Sequence, residues 1–194
     1  MRKILASAGL VLCLILTFRG AAATEGRRGH ISAKLVGFQE VPSVSSKGTG
    51  EFIAEISDDE SKIDYSLTWK NLEGTVVQQS HIHFGQHSVN GGVAAFFCSN
   101  LTDPAPPPNT PTCPGPASGE LKGVITAENV IGPAGQGIAA GEFAELLRAI
   151  RNGRSYVNVH TDKHPGGEIR AQLNERGKGL LGSHEHDSSG EEHH

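Results

Sequence analysis

Phe52-Ile53-Ala54-Glu55-Ile56, Ser57-Asp58-Asp59-Glu60-Ser61-Lys62 and Ile63-Asp64-Tyr65-Ser66-Leu67-Thr68-Trp69 follow one another without a break. Phe52, Ala54 and Ile56 recur at a period of two, as do Ile63, Tyr65, Leu67 and Trp69. That is the spacing of strands with one face buried. Asp58-Asp59-Glu60-Ser61 between them is a polar hairpin turn.

The pattern repeats on both sides. Upstream, Ile31, Ala33 and Leu35 mark a first strand, and Pro42 to Gly50 a turn region. Downstream, Val76 to Phe84, Val93 to Cys98, Gly119 to Thr126, Tyr156 to Thr161 and Glu168 to Leu173 read as five more strands. Phe143, Leu146, Leu147 and Ile150 instead recur at helical spacing, with Gly153 placed to end that helix. The expected fold is mainly all-β. It is an antiparallel β-sandwich or Greek-key-like barrel of about eight strands, with one short helix across an open end. The composition agrees: 25 Gly and 10 Pro favour turns, and 37% hydrophobic residues in a chain of 194 suit one modest core with tails.

Arg2 and Lys3 precede an apolar stretch, Ile4 to Phe18, and the small residues Ala21-Ala22-Ala23. Residues 1–23 read as a signal peptide cut after Ala23. The stretch is short of the roughly 20 residues a membrane span needs, so no stable span is expected after cleavage. Cys13 follows the bulky Leu12, which argues against a lipoprotein. The mature chain is expected to be secreted or periplasmic, with a domain over 30–174. Residues 175–194 read as a disordered His/Glu-rich tail, and His184, His186, His193 and His194 there could bind metal without any fold. The net charge is -4 and no basic run occurs, so nucleic acid is not an expected partner.

Two cysteines remain after the signal, Cys98 and Cys113. In an exported chain such a pair is expected to form a disulfide. The loop it closes holds Pro104, Pro106, Pro107, Pro108 and Pro111 and cannot build a ladder or helix of its own. Asn100-Leu101-Thr102 inside it is a glycosylation sequon.

His81 and His83 lie on the face of their strand opposite Ile82 and Phe84, about 6.6 Å apart along it. Val157 and Val159 take the core side of a later strand, which leaves Tyr156, Asn158 and His160 on the other. All three histidines are therefore expected outside the core, on exposed or semi-exposed faces. If the strands are neighbours, three imidazoles converge, a ligand set suited to copper or zinc. The same pattern also fits a hydrogen-bonded polar cluster without metal. His164 is a possible accessory ligand, although a loop role fits it better. Arg170 is read either as a bridge to Glu168 or Asp162 or as a guide for a small anion. No catalytic triad, phosphate-binding glycine loop or Cys-x-x-Cys motif stands out.

Taken in order, Phe38-Gln39-Glu40-Val41-Pro42, His81-Ile82-His83-Phe84-Gly85, Ala139-Ala140-Gly141-Glu142-Phe143, Tyr156-Val157-Asn158-Val159-His160-Thr161 and Gly166-Gly167-Glu168-Ile169-Arg170-Ala171-Gln172-Leu173 resemble the CHRD domain from about Ile31 to Leu173. The resemblance implies export and a β-sandwich, and supplies no reaction. A second and weaker one is to copper/zinc superoxide dismutase. It implies copper on His81, His83 and His160, with Arg170 as a guide for superoxide. The dismutase's zinc-binding loop has no counterpart, so the expected function is metal binding without catalysis, copper before zinc. The alternatives are a module that binds an extracellular protein or matrix and, behind it, a dismutase-like redox enzyme.

Overall fold

The computed structural model describes residues 29–175. The expected signal peptide and the histidines of the tail lie outside them.

Eight strands form one antiparallel sheet. They are β1 (His30–Val36), β2 (Thr49–Ile56), β3 (Ile63–Lys70), β4 (Val77–Phe84), β5 (Gly92–Ser99), β6 (Gly119–Ile125), β7 (Ser155–Thr161) and β8 (Ile169–Leu173). Their order is β5-β4-β7-β8-β1-β2-β3-β6. The edge strands β5 and β6 approach each other, so the sheet curls into a nearly closed barrel. The opening hairpin pairs as read, with Phe52 opposite Leu67 and Ala54 opposite Tyr65.

The inward rows fill the barrel. Ile31, Leu35, Phe52, Leu67, Ile82, Phe97, Val157, Val159 and Leu173 are all almost fully buried. Burial of one such side chain stabilises by roughly 1.5–3 kcal/mol. Phe97 packs against both Phe52 and Tyr65, at centroid distances of 5.4 and 4.6 Å. The helix α1 (Phe143–Arg151) turns Phe143, Leu146, Leu147 and Ile150 into this core beside β7. It ends where expected: Gly153 takes φ +64, a left-handed conformation open to glycine at little cost.

Cys98 and Cys113 are joined, with Sγ atoms 2.10 Å apart. Asn100 clamps the same loop. Its Oδ1 accepts from the Cys113 N–H at 3.0 Å, and its Nδ2 donates to the Cys113 and Val77 carbonyls at 3.0 and 2.9 Å.

Two expectations change. Glu175 belongs to the domain and not to a tail. Its carboxylate accepts from the Gly29 N–H and from Arg151 Nε, each at 2.7 Å, and its backbone bridges to Ile31 of β1. More important, β4, β7 and β8 are covered on both faces. Every residue of β7 is buried. The loops 37–46, 85–91 and 162–167 fold over the outer face of these strands. Asn90 Nδ2 donates to the Val41 carbonyl at 2.8 Å, and Gln172 Nε2 donates to the Gly85 carbonyl at 2.8 Å. The expected exposed faces are therefore a second, polar interior.

Candidate metal centre

In an antiparallel pair, directly opposite residues share a face. On the outer face, His81 lies opposite Asn158 on β7 and Phe96 on β5. His83 lies opposite Tyr156, and Gln79 opposite His160. Asn158 and Tyr156 in turn face Arg170 and Gln172 on β8. The β4–β5 register shifts on either side of the His81-Ile82 pair. Such bulges re-aim side chains locally.

The pairing of β4 with β7 brings the three histidines together. One ring nitrogen from each of His81, His83 and His160 lies within 4.8 Å of the others. They are 2, 8 and 6% exposed, respectively. This corrects the expectation of surface histidines. The alternation placed them on the correct side of the strand, and the loops bury that side.

Hydrogen bonds set the tautomers. A carbonyl can only accept, so His83 Nδ1–H donates to Gly91 O and His160 Nδ1–H donates to Pro165 O, each at 2.8 Å. Nε2 of both rings then carries a lone pair. His81 Nδ1 is 2.8 Å from His83 Nε2 and 3.2 Å from Asn158 Oδ1, so its proton lies between two acceptors. His160 Nε2 is buried with no hydrogen-bond partner.

Burial holds all three imidazoles neutral. It pushes His81 well below the ordinary histidine value, helped by His160 and His83. His83 falls to about 4, again chiefly by burial, and His160 is lowered for the same reason.

Tyr156 stacks on His83 with centroids 4.6 Å apart and planes 3° from parallel. The Arg170 guanidinium carbon sits 3.4 Å from the Tyr156 centroid. Because β7 runs between β4 and β8, His83 and Arg170 take opposite faces of the tyrosine. The Tyr156 hydroxyl accepts from the Gly91 N–H at 3.2 Å.

Arg170 does not form the expected bridge to Glu168 or Asp162. It is 1% exposed, and it donates to Asn90 Oδ1 at 3.2 Å and to the Val89 carbonyl at 2.9 Å. Asp162 binds Thr75 and the Val76 N–H. Glu168 accepts from Ser46, Thr161 and the Glu73 N–H. The charge facing Arg170 is Glu40, whose carboxyl is raised to about 7 by burial against the opposing pull of Arg170. Gly167, at φ +122, leaves room for that carboxyl, which a Cβ would overlap. His164 is a loop residue. Its N–H donates to Thr161 Oγ1, its carbonyl accepts from the Gly167 N–H, and its imidazole lies outside the three-histidine group.

Tyr156, Asn158 and Glu40 were not among the expected site residues. The alternation that carried His160 to the outer face also carried Tyr156 and Asn158, and that was the available signal. Glu40 reaches the layer only through the folded loop.

The donor set fits a first-row transition metal. Three nitrogens converge, and two of the rings are fixed through Nδ1–H bonds to backbone carbonyls, the support that metal-ligating histidines usually have.

The fold and site define a nearly closed antiparallel barrel with a buried three-imidazole cluster under its loops. The family model of the CHRD domain matches residues 31–173. The chain belongs to the CHRD-domain family. No curated protein and no solved structure matches it. Among the described residues, no helix is long and apolar enough to cross a membrane.

Proposed function

We propose that this is an exported, non-enzymatic protein whose CHRD domain holds one copper ion on His81, His83 and His160. The observation that carries the proposal is His160 Nε2, a lone pair buried without a partner beside two other imidazoles. An uncompensated buried polar atom costs about 1–3 kcal/mol, and a bound ion removes that cost. His160 Nε2, His83 Nε2 and a nitrogen of His81 would hold it, and if His81 binds through Nδ1 its proton would shift to Nε2 of the same ring. Imidazole donors suit copper as well as zinc, and structural zinc sites close with four protein ligands where this group offers three, which favours copper.

The test is metal per chain after copper or zinc loading. It uses the full chain with His184, His186, His193 and His194 replaced by alanine. One copper per chain is expected. A folded His81→Ala/His83→Ala protein that retains as much metal would sink the proposal.

A second reading, an extracellular interaction module, is favoured by Phe38. Its side chain is 70% exposed, yet its turn is held by the Ser43 Oγ bond to the Phe38 carbonyl and by the Val44 N–H bond to the Gly37 carbonyl. A rigid exposed aromatic suits a protein or matrix surface. Pull-down from secreted material should lose its partner in Phe38→Ala, and retention would remove this reading.

A further inference from the structure

We infer that the three-imidazole centre is built for singly charged copper, Cu(I), in preference to Cu(II) or Zn(II), and that Arg170 enforces the preference through Tyr156. The inference rests on the metal-binding reading above.

The donors come first. The group contains three histidines and, among the described residues, no carboxylate or thiolate joins it. Neutral donors leave the full charge of the ion uncompensated in a buried place. The cost of burying an ion grows as the square of its charge, so a divalent ion is penalised about four times as heavily as a monovalent one.

The neighbouring charges act in the same direction. Arg170 is a buried cation on one face of Tyr156, and His83 lies on the other. Its repulsion of the bound ion is twice as large for a doubly charged ion. Glu40 is the acid facing Arg170. One of its oxygens is buried without a partner, and burial keeps its proton on up to about pH 7. Near neutrality it cancels only part of the guanidinium charge.

Coordination number agrees. Zn(II) and Cu(II) take four or more ligands, whereas three nitrogens complete a Cu(I) site. Phe96 packs nearly perpendicular to His81, with centroids 4.9 Å apart, and the face of Tyr156 covers His83. Both cover imidazole surface with hydrocarbon.

The experiment uses the full chain with the four tail histidines replaced by alanine. Cu(I) affinity is read anaerobically by competition with bicinchoninate. Cu(II) and Zn(II) affinities are read against chelators of known strength. Cu(I) is expected to bind at least about a hundredfold more tightly than either divalent ion. Arg170→Gln should narrow the Cu(I)-to-Cu(II) ratio by about tenfold, and Arg170→Lys should restore part of it. Equal or tighter binding of Cu(II) or Zn(II) overturns the inference while leaving the metal site standing. So does a folded Arg170→Gln protein with an unchanged ratio. If Arg170→Gln does not fold, the ratio of the parent protein decides. Failure of every ion to exceed the His81→Ala/His83→Ala background removes the metal reading and this inference together.

Discussion

His83 and Tyr156 lie face to face, 4.6 Å between centroids and 3° from parallel, on adjacent strands of the barrel. The tyrosine is thus the wall between a candidate ligand and the Arg170 cation. Tyr156→Phe keeps the stack and loses only the acceptor for the Gly91 N–H. It should cost about 1 kcal/mol in urea unfolding. Tyr156→Ala opens a cavity and strips Arg170 of its ring, and should cost about 3–5 kcal/mol. Equal costs for the two would show that the stack contributes nothing.

Acid should destabilise the metal-free domain through its histidines. Their folded values lie below the ordinary 6.5, with His83 at about 4. The unfolded chain therefore binds more protons than the folded one in this range. The contribution is fully present above pH 6.5 and is lost as pH falls through about 4. Urea midpoints of Glu40→Gln, which removes the opposing titration of that buried acid, should decline from pH 7 to pH 4, and a flat profile would contradict the burial argument.

Glu40 acts with the opposite sign. Its folded value of about 7 lies above the ordinary 4.5. Its contribution is fully present below pH 4.5 and is lost as pH rises through about 7. Glu40→Gln removes the term. The variant should match the parent near pH 4.5 and exceed it by roughly 1–3 kcal/mol at pH 8. Its acid-side decline should also be steeper, because nothing then offsets the histidines.

Ion binding to the folded state alone must raise stability by mass action. Copper at about a hundred times its dissociation constant should add about 2.7 kcal/mol to unfolding. A chelator should reverse the gain, and His81→Ala/His83→Ala should abolish it. The readout is the shift in urea midpoint with the tail histidines replaced.

The proline loop has two tethers. Loss of the Cys98–Cys113 bond should cost about 3 kcal/mol in the chain-entropy model. Asn100 makes two side-chain bonds to Cys113 across the same loop and a third to Val77 on β4, so Asn100→Ala should cost a further 1–3 kcal/mol or so. A double-mutant cycle on denaturation midpoints separates the two. Those bonds also occupy the Nδ2 that a glycan would take at the sequon.

Most of the barrel was legible because its strands obey a local rule. Ile63, Tyr65, Leu67 and Trp69 alternate whatever they pair with, and the helical stripe from Phe143 to Ile150 is equally local. The pairing of β4 with β7 was not legible, since those strands are separated by β5, β6 and α1. Without that pairing, the position of His160 relative to His81 and His83 was open. Burial of the histidines was misread for a related reason. Period two distinguishes the two sides of a strand but not what covers each of them, and here loops from three parts of the chain close over the polar side.

The sequence by itself determined the strands, the helix, the cysteine pair and the side of each strand on which the histidines stand, because these follow from residue chemistry and short-range periodicity. Tertiary structure alone decided that the three imidazoles meet, that they are buried and neutral, and that Arg170 faces Tyr156 and Glu40 in place of solvent or the acids nearest to it in the chain. Those outcomes depend on contacts between segments far apart in sequence, and alternation within a single strand carries no record of them.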